Sequence, residues 1–175
     1  DLRGKDLGVE SLAKTSEEFR QGLEPYGVRL DAIVPDDGWQ NKQSIWEPNT
    51  EIIPNGYRPL ADRIEKHGTR LGLWMPLTGV NLDVPWGQTQ GYETGSDRHY
   101  CMSGPKYNAK MREVLRHHIL DWRVCYFKHD FNSFHCAKEG HGHLPEARYG
   151  FEANVDAEIG LLQYSRSLRP DIFLN

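Results

Sequence analysis

The sequence predicts an α/β protein, a partial (β/α)8 TIM barrel with about four βα units in view. Three observations carry that expectation. Short apolar runs alternate with helical patterns along the chain. The segments after the apolar runs are long, whereas those before them are short. Those long segments hold the Asp-Gly pair, three of the five tryptophans and half of the histidines. Alternation of this kind implies parallel strands covered by helices with right-handed crossovers. An open nucleotide-binding sheet is the rival, but it wants a glycine-rich turn such as G-x-G-x-x-G straight after a strand, and none is present. In a barrel the loops after the strands build the site, as the long segments here would.

Thr15 and Glu18 have the spacing of a capping box before a helix. Phe19, Leu23 and Tyr26 lie on one face of it, and Gly27 ends it. Residues 28–34 read as a buried strand stopped by Pro35. Pro59 suits the first turn of a second helix, striped by Leu60, Ala61 and Ile64 and closed by Gly68. Residues 70–75 follow as a strand, stopped by Pro76. After a loop over 77–104, Pro105 opens a third helix bearing Tyr107, Met111, Leu115, His118 and Trp122 at three- and four-residue steps. Residues 123–128 form the third strand, and 130 to about 151 the next loop. A fourth helix carries Val155, Ile159 and Leu162 on one face until Pro170, and residues 171–174 start a fourth strand. A full barrel needs eight strands and about 250 residues. With four strands, and Asp1 rather than Met at its start, the chain is expected to be a fragment of one catalytic barrel domain spanning 1–175.

Composition narrows the classes of function. Of 175 residues, 38% are hydrophobic and 11% aromatic, which argues against disorder. The net charge of −4, from 21 basic and 25 acidic residues, argues against a nucleic-acid partner gripped through its phosphates. The most apolar stretch, 71–80, is broken by Pro76 and too short to span a membrane. Three cysteines are too few for a disulfide scaffold. Cys101 and Cys136 are the candidates for one optional bridge, the alternative being small buried hydrophobes.

The chemistry concentrates after the strands. Asp36 and Asp37 follow the first strand and precede Gly38 and Trp39. Two carboxylates at a barrel mouth can grip a polar ligand by different hydroxyls, since ionised carboxylates accept bidentate hydrogen bonds; Trp39 would supply an apolar wall. An Asp-Gly turn with a solvated acid gives the same letters. Lys128, His129 and Asp130 end the third strand, where alternation points Lys128 and Asp130 to one side and His129 to the other. A lysine beside a carboxylate favours the ionised form that a nucleophile requires, although a plain salt bridge fits too. Trp46, Trp74 and Trp86 also lie in or beside these loops, and tryptophan is more often core than ligand platform. His129, His135, His141 and His143 crowd together with Cys136 and Glu139, which makes a metal site conceivable. No helix sets two of them four apart, so loop shaping or hydrogen bonding by His141 and His143 is the favoured reading.

Taken in order, Val-Pro-Asp-Asp-Gly-Trp (34–39), Gly-Leu-Trp-Met-Pro (72–76) and Tyr-Phe-Lys-His-Asp-Phe-Asn (126–132) resemble clan D glycoside hydrolases. These are the α-galactosidases and α-N-acetylgalactosaminidases, and the likeness is closer to family 36 than to family 27. The resemblance implies a (β/α)8 barrel and a retaining mechanism. It implies that Asp130 is the nucleophile, that Lys128 contacts sugar hydroxyls, and that Asp36 and Asp37 bind the hydroxyls of the terminal galactose. It further implies that Trp74 lines the sugar pocket, that Cys101 does so from the following loop, and that Asn132 matches the asparagine just after the nucleophile. The family's acid/base aspartate would lie on a later strand, beyond Asn175.

Two features depart from the family pattern: His129 stands where relatives usually carry Trp, Phe or Tyr, and the loop 134–149 has an atypical sequence. The expected function is cleavage of terminal α-linked galactose or N-acetylgalactosamine, with a carbohydrate as partner. No nucleic acid, membrane, cofactor or resident metal is expected. Two alternatives stay open: a non-catalytic sugar-binding relative, and a metal-dependent barrel hydrolase using the cluster from His135 to His143.

Overall fold

The structure is a computed structural model that describes residues 4–96 and 98–175. Its described residues form one parallel sheet of four strands in the order β1-β2-β3-β4. The strands are β1 (Ala32–Ile33), β2 (Arg70–Trp74), β3 (Tyr126–Lys128) and β4 (Phe173–Leu174). Each pairs in parallel with its successor. A doubly wound sheet reverses its strand order at a switch point, whereas a barrel adds each strand beside the last. The uninterrupted order therefore marks part of a (β/α)8 barrel, as the loop lengths predict.

Among the described residues five α-helices connect and flank the strands: α1 (Val9–Leu23), α2 (Arg58–Ile64), α3 (Val84–Thr89), α4 (Pro105–Leu120) and α5 (Ala147–Leu168). Pro59 and Pro105 sit in the first turns of α2 and α4, where a missing N–H costs nothing. α2 runs into a 3-10 turn closed by Gly68, whose φ of 80° is left-handed. α1 packs on α2 and α4 on α5.

The pleat divides the side chains between two faces. Leu71, Leu73 and Phe127 point to the helices and join Leu60, Ile64, Leu115 and Leu161 in the core. On the other face Gly72, Tyr126 and Phe173 lie in register across three strands. Tyr126 stacks on Phe173 at 5.0 Å between centroids. A Cβ on Gly72 would meet Val34 Cγ2 at 2.8 Å, so only glycine lets β1 and β3 close around that point. Phe173 is exposed on this face.

Several expectations are corrected. The helix α1 begins at Val9 behind Gly8, so Thr15 and Glu18 lie in its interior and form no capping box. Its buried residues are Leu12 and Ser16, while Phe19 and Tyr26 are exposed. β1 is shorter than expected, at two residues, although main-chain bonds to the β2 segment flank it from Asp31 O to Pro35 O. The loop 77–104 contains α3, started by the Asp83 carboxylate accepting the Trp86 N–H. The inward stripe of α5 is Gly150, Asn154, Leu161 and Ser165, about one residue around the helix from Val155, Ile159 and Leu162. Trp122 is buried, yet it follows the end of α4 and does not belong to it.

Candidate active site

The carboxyl ends of β1, β2 and β3 bring three polar segments side by side. Pairing continues beyond the strands: the Trp74 N–H donates to Pro35 O and the Met75 N–H to Lys128 O, both at 3.0 Å. Neighbouring strand ends are therefore fixed by main-chain bonds before any side chain is placed.

Lys128 is the centre of the cluster. Its Nζ lies 3.1 Å from Asp36 Oδ2 and 3.6 Å from Asp130 Oδ2. The hydrogen bond to Asp36 and the charges of both carboxylates raise the Lys128 pKa above the ordinary lysine value. The Trp74 indole N–H reaches Asp130 Oδ2 at 3.4 Å, and the Phe131 N–H donates to Asp130 Oδ1 at 3.0 Å. Asp130 is thus held on both oxygens. Phe131 takes the left-handed conformation at φ 52° and is 71% exposed. Bulky side chains rarely adopt that conformation, and such strain clusters at functional sites.

Asp36 Oδ1 accepts the Asp37 N–H at 2.8 Å. Asp37 is held by Gln40, whose Nε2 donates to Asp37 Oδ1 at 2.7 Å while its Oε1 accepts the Gly38 N–H. Gln40 is buried and shapes the turn. Its signal in the sequence was only a polar residue three positions after an aspartate. Asn132 donates to Glu158 Oε1 at 2.9 Å, tying the loop after β3 to α5. Burial raises the Glu158 pKa. Nothing in the letters around Glu158 distinguished it from a solvated helix acid.

His129 turns away from Lys128 and Asp130, as strand alternation requires. Its half-buried ring stacks on Phe127, and its Nδ1 donates to Met75 O at 2.7 Å. Burial pushes its pKa down to about 4, so the ring is neutral at pH 7.

The tryptophans divide. Trp74 is only 2% exposed but offers its N–H to Asp130. Trp39 is 0% exposed and donates its N–H to Trp74 O. It cannot wall a sugar from there; it is a core residue, packed against Trp46, Tyr57, His118 and Trp122. Trp46 is also fully buried.

Cys101 sits apart from its expected role as well. Its sulfur is surrounded by Ser103, His143 and Asn154, with no contact to the carboxylates among the described residues. Cys101, Cys125 and Cys136 are all free and buried, so the expected bridge between Cys101 and Cys136 is not formed. Of the histidine-rich segment, only His141 and His143 converge. With Cys101 and Cys136 they place four ligand atoms within 4.8 Å of one another. His135 is exposed and packs beside Phe151.

Fold and site together define a barrel segment with a lysine-bridged pair of carboxylates at the carboxyl ends of its strands. Neither a family model nor a curated protein matches the chain. Solved structures do. The α-galactosidase of Thermus thermophilus, solved with p-nitrophenyl α-D-galactopyranoside, superposes with a TM-score of 0.63 at 23% identity, over 95% of this chain and 34% of that one. The GH36 α-galactosidase AgaA of Geobacillus stearothermophilus gives 0.65 at 17% identity, over 98% of this chain and 25% of that one. The α-galactosidase of Lactobacillus brevis gives 0.63 at 13% identity, with 97% and 25% coverage. The chain thus spans between a quarter and about a third of the length of these proteins, and it shares the fold of part of their barrels. No described helix is long and apolar enough to cross a membrane.

Proposed function

We propose that this chain is the nucleophile-bearing part of a retaining, α-galactosidase-like glycoside hydrolase acting on terminal α-linked galactose or N-acetylgalactosamine. The observation that carries the reading is the Lys128 ammonium spanning Asp36 and Asp130 at adjacent strand ends. A solvated Asp-Gly turn would not be tied to a residue 92 positions away. The shared fold with sugar-bound α-galactosidases supports the same substrate class.

In this reading Asp36 and Asp37 accept hydrogen bonds from sugar hydroxyls, and Lys128 donates one. Together they set the anomeric carbon against Asp130, and such orientation can remove several kcal/mol of barrier. Asp130 attacks the anomeric carbon as the bond to the leaving oxygen breaks. A second carboxylic acid, on a later strand of the full-length protein, donates the proton to that oxygen. The same group then takes a proton from water, whose oxygen displaces Asp130. A retaining pair stands about 5–5.5 Å apart.

In the full-length protein, Asp130→Asn should lower turnover of p-nitrophenyl α-galactoside by about 10³-fold or more, equivalent to roughly 4 kcal/mol. Galactose affinity should stay within a few-fold. Normal turnover in the variant rejects Asp130 as nucleophile. Galactose binding without turnover by the unaltered protein identifies instead a sugar-binding relative.

A further inference from the structure

The loops after β2 and β3 meet at four side chains that the proposed hydrolysis does not use. Cys101 comes from the first loop; Cys136, His141 and His143 come from the second. Their ligand atoms all lie within 4.8 Å of one another. Cys101 Sγ is 3.6 Å from His143 Nε2, and Cys136 Sγ is 3.2 Å from His141 Nδ1. A tetrahedral zinc with bonds of about 2.3 Å to sulfur and about 2.0–2.1 Å to nitrogen sets its ligands roughly 3.3–3.8 Å apart. The cluster is already near that size.

The surroundings are built for the same purpose. His143 Nδ1 lies 2.7 Å from Leu144 O. That bond makes Nδ1 the donor and leaves the lone pair of Nε2 facing Cys101, the arrangement a ligating imidazole needs. The Ser103 hydroxyl lies 3.2 Å from Cys101 Sγ and donates to His141 O at 3.1 Å, which ties the two loops at the cluster. Asn154, buried on α5, holds the two loops together: its Nδ2 donates to Phe134 O and Gly150 O, and its Oδ1 accepts the Ser103 N–H. Gly142, between the two histidines, has φ 80°, and a Cβ there would collide with Ser103 O. A Cβ on Gly150 would collide with Cys136 O. The backbones approach this closely only because both positions are glycine.

We propose that Cys101, Cys136, His141 and His143 form a structural zinc site that staples the loop after β2 to the loop after β3. Two thiolates, two imidazoles and tetrahedral spacing select zinc among the common divalent metals. Two thiolates neutralise the dication, so the site can be buried. Four protein ligands leave no position open for water, whereas a catalytic zinc keeps one. The cluster is therefore a staple and not the centre of a metal-dependent hydrolase. It holds the far end of the segment that begins at Asp130, and this role stands whether or not the glycosidase reading is correct.

The test is elemental analysis of the full-length protein, expressed with zinc and freed of loosely bound metal by a chelating resin. About one zinc per chain is expected. Titration with a mercurial thiol reagent should release that zinc as Cys101 and Cys136 react, detected with a colorimetric zinc indicator. Cobalt exchanged into the site should show thiolate-to-metal charge transfer and the intense visible bands of a tetrahedral centre. Cys136→Ser and His143→Ala should each lose most of the zinc and unfold at lower temperature, while His135→Ala should keep it. Less than a tenth of a zinc per chain overturns the proposal, as does full occupancy in both ligand variants. A Cys101–Cys136 disulfide found by mass spectrometry in zinc-free, folded protein likewise replaces the staple with a bridge. The metal and thiol readouts on the unaltered protein decide the matter even if a variant fails to fold.

Discussion

Trp39 and Trp74 show what a single residue's letters can and cannot reveal. Both are tryptophans beside a strand end, and both read as candidates for a sugar platform. The structure separates them by what the indole N–H finds: Trp74 O for Trp39, Asp130 for Trp74. Trp39→Phe should therefore leave the Michaelis constant of the full-length protein for an aryl α-galactoside unchanged. It should cost about 1–3 kcal/mol of stability, because a buried carbonyl loses its donor. A raised Michaelis constant at unchanged stability would return Trp39 to the sugar pocket. Trp74→Phe should lower kcat of the folded protein as well as the melting temperature, because the indole that donates to Asp130 is also buried against Trp46. The opposite sides of Lys128 and His129 were legible, since strand alternation decides them. The division between the tryptophans was not, because it depends on which loop folds over which ring.

At the level of elements, apolar runs and prolines located all four strands and α1, α2, α4 and α5, though not the start of α1. The errors came where small or polar residues face inward. α5 turns Gly150 and Asn154 to the interior because the loop after β3 passes so close to them. A hydrophobic stripe is blind to such an approach. The capping-box spacing at Thr15 was outvoted by packing, since local propensity is a weak prior against tertiary contacts. β2 offers a direct check on the sheet. Gly72→Ala places a methyl against Val34 and Tyr126 in a register that cannot relax. Overpacking of this kind costs about 1–3 kcal/mol. Denaturant unfolding should show a lowered midpoint, and an unchanged midpoint would mean that β1 and β3 do not close around this position.

Across the molecule, the buried His118 and the half-buried His129 link stability to pH. Burial, with some repulsion from His117, pushes the His118 pKa down to about 3, and burial alone lowers that of His129 to about 4. An exposed histidine titrates near 6.5. Their stabilising contribution is complete above about pH 6.5, where both states are neutral. It falls as pH drops from 6.5 towards 4 and 3, because the unfolded chain takes protons that the fold refuses. By pH 4.5 the loss is about 3 kcal/mol for each ring. Urea unfolding between pH 7.5 and pH 4.5 should show a falling midpoint, and His118→Phe should flatten the trend. A midpoint that rises on acidification would contradict the buried, neutral assignment. This aromatic cluster of Trp39, Trp46, His118 and Trp122 could not be assembled from the sequence, because its members come from two loops and a helix end.

As the proposed nucleophile, Asp130 becomes covalently bonded to the sugar during turnover. Full-length protein incubated with a slow fluorinated α-galactosyl fluoride should accumulate a glycosyl-enzyme. Proteolysis and mass spectrometry of that species should then locate the adduct on the peptide containing Lys128 to Asn132, at Asp130. An adduct on Asp36, Asp37 or any other carboxylate, or inactivation with no adduct, would contradict the account.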